Sequence, residues 1–200
     1  GSSETYTSRE LQEAKENAKI LGVKHVVIST SELEDENFAA NPPNRCYYCK
    51  SELFSKLVEL AKQHQLNYVV DGSNYDDLKD FRPGMRAASQ FGIKSPLKEA
   101  KLTKEEIRTL SKEMNLPTWD KPPQPCLSTR FPYGAQITRE KLTRVELAER
   151  FLVGFGLKQF RVRVHGDIAR IEVPREDMPV FLNEDTSKEI VDKFKALGYT

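Results

Sequence analysis

The sequence predicts an α/β protein, with an open parallel sheet covered by helices and a smaller α+β unit after it. Three observations predict this. The first seventy-odd residues alternate helix-like and strand-like segments, the pattern of a parallel sheet with crossover helices. A stretch with five prolines interrupts the chain between residues 117 and 134. Beyond Thr138 the pattern changes to one helix, two alternating strands and a final helix. The resulting divisions are 1–121, 122–136 and 137–200.

Each element has a local reason. Thr7-Ser8-Arg9-Glu10 is a capping box, with Thr7 placed to accept a backbone N–H and Glu10 to reach back. Leu11, Ala14, Ala18 and Leu21 then recur at helical spacing, and Gly22 ends the helix. Val23 to Ser29 is a β-branched run, short enough for a buried strand. Asn41-Pro42-Pro43-Asn44 breaks the chain, and a helix opens near Arg45 with Leu53, Leu57, Leu60 and Ala61 inward. Tyr68-Val69-Val70 is the next strand, stopping at Asp71-Gly72. A polar loop then leads through Phe81-Arg82-Pro83-Gly84 to a short helix near Met85. Thr103-Lys104-Glu105-Glu106 is a second capping box, opening a helix that Pro117 ends. Trp119, Phe131 and Tyr133 are costly to leave wet, so the proline-rich stretch reads as an ordered loop. A helix runs from Thr138 to about Phe155. Phe160–Val164 and Ile168–Val173 flank a turn at His165-Gly166-Asp167, a hairpin with arginines on one face and valines on the other. A last helix starts at Asp185 or Thr186 and runs through Leu197.

Composition narrows the function. The 31 Lys and Arg nearly balance 30 Asp and Glu, so no bulk charge draws the protein to nucleic acid. No run of 18 apolar residues is present. Gly1-Ser2-Ser3 reads as a non-native leader with no apolar segment after it, and a cytoplasmic protein is the expectation. Three cysteines in a reducing compartment argue for metal or redox use over a disulfide framework.

Cys46 and Cys49 lie three apart, which puts both sulfurs on one side of a helix. Thiolates suit zinc, copper(I) or iron–sulfur clusters, but a closed zinc site wants four ligands, and His25, His64 and His165 lie in unremarkable settings. Two inert buried thiols are the alternative. Cys126 lies in the proline-rich loop near Arg130, and a cation raises thiolate character. Ser128, Thr129 and Arg130 can form an anion pocket, or Arg130 can be an ordinary surface residue. Arg161 and Arg163 share a strand face suited to phosphate or carboxylate; a solvated face, or a salt bridge involving Arg170 and Glu172, reads equally well. Asp71-Gly72, with Asn74, Asp76, Asp77 and Asp80, sits where open α/β sheets bind ligands, and its carboxylates can hold magnesium near a nucleotide. The same residues are good turn formers.

Taken together, Asp71-Gly72 with Arg82-Pro83-Gly84, then Cys126-Leu127-Ser128-Thr129-Arg130-Phe131-Pro132-Tyr133-Gly134, then Arg161-Val162-Arg163-Val164-His165 with Asp167–Glu172, resemble the LarE family. These are ATP-dependent pyridinium-3,5-biscarboxylic acid mononucleotide sulfur transferases of the PP-loop ATP pyrophosphatase superfamily. The resemblance implies a PP-loop (adenine nucleotide alpha hydrolase-like) sheet and use of ATP with Mg2+ to adenylate a substrate carboxylate. It implies a thiocarboxylate product on the route to the nickel-pincer nucleotide. It also implies a three-cysteine branch in which Cys46, Cys49 and Cys126 hold a [4Fe-4S] cluster carrying the transferable sulfur, supplied by a sulfide donor. Ser128, Arg130, Arg161 and Arg163 match the region that holds the substrate phosphate, and Asp71, Gly72, Asn74 and Asp77 the nucleotide edge. The implied assembly is a homo-oligomer. The superfamily's Ser-Gly-Gly-x-Asp-Ser loop is absent and is expected to precede the first helix, together with its strand. Two rivals stand beside this reading: sacrificial donation by Cys126 alone, and a tRNA thiolase or non-catalytic metal-binding module.

Overall fold

The computed structural model describes residues 1–200. Thr7 accepts the Glu10 N–H while the Glu10 carboxylate accepts the Thr7 N–H, so the capping box opens helix α1 at Ser8–Ile20. Gly22, at φ +63°, turns the chain out of it. A single turn, α2 (Glu36–Ala39), precedes the proline break, and α3 (Arg45–Gln63) follows. After the Asp71 loop come α4 (Gly84–Gln90), α5 (Pro96–Glu99) and α6 (Lys104–Glu113), the last opened by the Thr103–Glu106 box. A 3-10 turn at Leu127–Arg130 carries the chain past Cys126 to α7 (Arg139–Val153). Strands β1 (Arg161–His165) and β2 (Ile168–Glu172) form an antiparallel hairpin, with Arg161 opposite Glu172 and Arg163 opposite Arg170. Helix α8 (Glu184–Ala196) closes the order.

Two hydrophobic cores hold these elements. The larger packs Leu142, Val145 and Leu152 of α7 against Val162 and Val164 of β1 and Ile190 of α8. Phe38 of α2, together with Leu127 and Phe131 from either end of the Cys126 turn, is buried in the same core. The smaller lies between α3 and α4, around Phe54, Ala87, Ala88 and Ile93. Its centre on α3 is Phe54 rather than the expected leucines, of which Leu53, Leu57 and Leu60 are half-buried.

The structure departs from two expectations. The parallel sheet is reduced to two single bridges, Ser2 with Ser29 and Val70 with Lys94. The only ladder is the β1–β2 hairpin. Val23 to Ser29 is extended but not buried; Val26 and Val27 are 46% and 43% exposed. The reason is that a strand is secured by neighbours on its edges, and the amides of residues 24–28 have no backbone partner. Likewise no residue of α1 is buried, because no element covers its apolar stripe. The N-terminal segment pairs with the end of the Val23–Ser29 run: the Ser2 N–H donates to Ile28 O at 2.8 Å, the Thr30 N–H donates to Ser2 O at 3.0 Å, and Thr5 is buried. No helix is long and apolar enough to cross a membrane. Of the aromatics in the proline-rich loop, Phe131 is buried. Trp119 and Tyr133 lie outside with cations over their rings, Lys112 at 4.7 Å and Arg45 at 5.5 Å.

Candidate active site

Cys46 and Cys49 project from the first turns of α3. Cys126, 77 positions after Cys49, stands at the head of the 3-10 turn. The chain brings them together through a set of ties that carry no sulfur. The Leu127 N–H donates to Thr5 O at 2.8 Å and anchors the turn beside the N-terminal segment. Asn41, just before α3, is fully buried at φ +55°. Its side-chain amide donates to Pro132 O at 2.7 Å, its carbonyl accepts the Gly134 N–H at 2.9 Å, and its Oδ1 accepts from Arg45 Nη1. From the other side Arg163 Nη1 donates to Thr129 O at 2.7 Å. Arg130 Nη1 bonds Pro125 O at 3.0 Å and Thr129 Oγ1 at 2.9 Å.

As a result the three thiols lie within electrostatic reach of one another. Burial pushes the Cys49 thiol well above its ordinary range, and the Glu32 carboxylate and Cys126 push the same way. Its Sγ–H donates to Glu32 Oε1 at 3.5 Å. Burial also raises Cys126; the Arg45 charge opposes it and Cys46 adds to it. Cys46 is exposed. Tyr6 faces the same group; burial, then Cys49 and Cys126, hold its phenol firmly protonated. The donors are gathered but not drawn into a coordination sphere: no group of three His, Cys, Asp or Glu side chains stands ready to hold a metal ion.

Buried polar atoms normally have partners. Four buried side-chain atoms here have none, and three of them, Glu32 Oε2, Arg45 Nε and Ser128 Oγ, belong to residues around these thiols. Glu32 is 2% exposed, Arg45 4% and Ser128 0%. An unpaired carboxylate oxygen, a guanidinium N–H and a hydroxyl left at one place mark a site built for something the chain does not itself supply.

The expected anion pocket is differently arranged. Arg130 is buried in a two-point ion pair with Glu149, Nε to Oε1 at 2.7 Å and Nη2 to Oε2 at 3.1 Å. Arg163 pairs with Glu172 at 2.9 Å, and Glu172 also holds Arg170 at 2.7 Å. Both arginines are therefore engaged in clamping the Cys126 turn. Arg161 makes no side-chain hydrogen bond and lines a cavity of about 180 Å³ behind that turn, with Thr7, Glu10, Pro125, Arg130 and Glu149. Ser128 faces Cys126 and is closed to solvent.

The Asp71 loop is wired to itself. Asp71 accepts from Ser73 Oγ at 2.8 Å and its N–H at 3.2 Å. The Asn74 N–H donates to Asp77 Oδ2 at 3.0 Å, and Asn74 Oδ1 accepts the Asp76 N–H at 3.0 Å. Arg82 reaches Asp77 Oδ1 at 2.8 Å. Gly72 is exposed at the strand end, where the loop leaves Val70.

Sequence reasoning missed Tyr6 and Glu32, and gave no role to Arg45 or Lys50. Nothing in Ser31-Glu32-Leu33-Glu34 separates the buried acid from its exposed-looking neighbours. A usable signal existed for Arg45 and Lys50, which flank the two cysteines directly.

No protein-family model matches the chain. It is 47% identical over 190 residues to an uncharacterized protein of Synechocystis sp., covering 95% of this chain and 71% of that one. It is 36% identical over 199 residues to the pyridinium-3,5-bisthiocarboxylic acid mononucleotide synthase of Lactiplantibacillus plantarum, covering 98% of this chain and 71% of that protein. A weaker likeness, 28% over 140 residues, is to the tRNA-specific 2-thiouridylase MnmA of Desulforamulus reducens, across 56% of this chain and 38% of that enzyme. Both named relatives introduce sulfur into their products, and with the gathered thiols this places the molecule among the sulfurtransferases of the PP-loop superfamily. The chain belongs to the pyridinium-3,5-bisthiocarboxylic acid mononucleotide synthase (LarE) family.

Proposed function

We propose that the protein converts a carboxylate of pyridinium-3,5-biscarboxylic acid mononucleotide into a thiocarboxylate at the expense of ATP. One observation carries this reading: three thiols from two distant stretches lie with residues that hold three of the four unpartnered buried side-chain polar atoms. A carboxylate is a poor electrophile. Adenylation by Mg2+-bound ATP would release pyrophosphate and leave a mixed anhydride whose leaving group is AMP. A sulfur nucleophile displaces AMP from such an anhydride, and no net oxidation is needed.

By ligand type the three soft sulfurs, carried on two elements beside a buried arginine and hydroxyl, suit a [4Fe-4S] cluster once they close on it. Cys46, Cys49 and Cys126 would hold it. When bound, the cluster would supply a site for exogenous sulfide at the iron that no cysteine ligates. The chain's own part is positional. Arg130, Arg163 and Asn41 fix the Cys126 turn against α3. Glu32 accepts the Cys49 proton that ligation displaces. Arg161 offers a free guanidinium to the substrate's phosphate, and Asp71, Gly72, Asn74 and Asp77 shape the nucleotide edge. Anaerobic purification with absorption and Mössbauer spectroscopy tests the cluster. A Cys126→Ala protein with an intact cluster and full turnover would sink the reading.

One observation favours sacrificial donation by Cys126 alone. The buried Arg45 charge acts in favour of the Cys126 thiolate, against the burial that raises that thiol. Mass spectrometry after turnover separates the two readings: loss of H2S from Cys126 in one round supports sacrifice, and many rounds with added sulfide support the cluster.

A further inference from the structure

Lys50 belongs to neither the thiol set nor the arginine pocket, and it lies between the two halves of the chemistry. It follows Cys49 directly and stands one turn after Cys46 on α3. Its stem passes between the Phe54 ring, 5.4 Å from the ammonium, and Gly84. A Cβ at Gly84 would stand 3.0 Å from Lys50 Cγ and 3.6 Å from Cys46 O, so the glycine of Arg82-Pro83-Gly84 is what lets α4 close over this lysine. Lys50 is half-buried and makes no hydrogen bond or ion pair. It adjoins Cys49 in the chain, and its charge helps to hold down the Asp71 carboxyl at the strand end. A half-buried cation without a counter-ion, between a nucleotide edge and a nucleophile, calls for an anion present only during reaction.

We infer that Lys50 binds the phosphate of the acyl-adenylate and stabilises departing AMP while sulfur attacks, a role that rests on the ATP-dependent reading above. In that step hydrosulfide sulfur bonds to the carbonyl carbon. The bond from that carbon to the phosphate oxygen breaks, and AMP leaves with the electron pair. The hydrosulfide proton stays on the thiocarboxylic acid or passes to water.

The test compares the full-length protein with its Lys50→Met and Lys50→Arg forms, using ATP and the pyridinium dicarboxylate mononucleotide. Thiocarboxylate is followed by mass spectrometry, and AMP binding by calorimetry. Lys50→Met lowers kcat by about 100-fold, Lys50→Arg restores at least a tenth of it, and cluster absorbance is unchanged in both. AMP binds Lys50→Met about tenfold more weakly. Turnover within twofold of wild type overturns the assignment, as does a loss confined to KM for the mononucleotide. If the wild-type protein makes no thiocarboxylate, the sulfur-transfer reading fails by itself. The AMP arm then decides Lys50: a weakened Kd supports it and an equal Kd overturns it. Lys50→Gln serves the same comparison if the methionine form does not fold.

Discussion

Arg130 and Glu149 show how much one residue pair can hold in place. Both are buried, Glu149 also accepts the Val162 N–H at 2.9 Å, and the pair joins the Cys126 turn to α7 and β1. Arg130→Met strands a carboxylate in the core, and urea denaturation will show a loss of about 3–5 kcal/mol. The Arg130→Met/Glu149→Leu double variant recovers part of that, but not all, because the Val162 N–H loses its acceptor. Asp71 carries a pH dependence. Burial works against its charge, yet the hydroxyls of Ser95 and Ser73 and the Ser73 N–H outweigh it and hold the carboxyl below its ordinary 3.8. A depressed acid adds stability that is complete above its unfolded value and disappears as pH falls through the folded one. Ser73→Ala therefore moves acid unfolding to higher pH, read by circular dichroism. The two proteins become equally stable once Asp71 is protonated in both states.

At the scale of elements, local chemistry was legible and partnership was not. The two capping boxes, the Gly22 stop and the valine–arginine alternation of β1 are written in neighbouring residues, and each forms where the sequence places it. Thr103→Ala removes the acceptor for the Glu106 N–H and will cost about 1 kcal/mol in denaturant titration, with no change at the thiols. The strand at Val23–Ser29 was misjudged as buried because a β-branched run reports its own preference and says nothing of its neighbours. Glu32 was invisible for a related reason. A charged residue next to polar ones looks the same in sequence whether a second element covers it or water does. Count and spacing singled out the three cysteines, while their joint role comes from the family resemblance and is a proposal. That Arg130 pairs with Glu149 and Arg163 with Glu172 could be read only once the fold had brought those acids within reach.

Across the whole molecule, stability is unevenly distributed. Amides 24–28 and 67–70 have no backbone acceptor, while the hairpin and α7 surround the larger core. Hydrogen exchange will find those two segments fast, within seconds to minutes, and Val145, Leu152 and Val162 slowest. Slow exchange at residues 24–28 would show a partner strand that this arrangement lacks. The thiol site joins the well-packed part to the loose part, and Asn41 is the fastening between them. Such a fastening has a chemical vulnerability. An asparagine deamidates when the next residue's amide nitrogen attacks its side chain and closes a succinimide, turning a donor into a charged acceptor. Here the next residue is Pro42, whose nitrogen bears no hydrogen. The one side chain that links Pro132 to Arg45 is thus shielded from the commonest form of protein ageing by the residue that follows it.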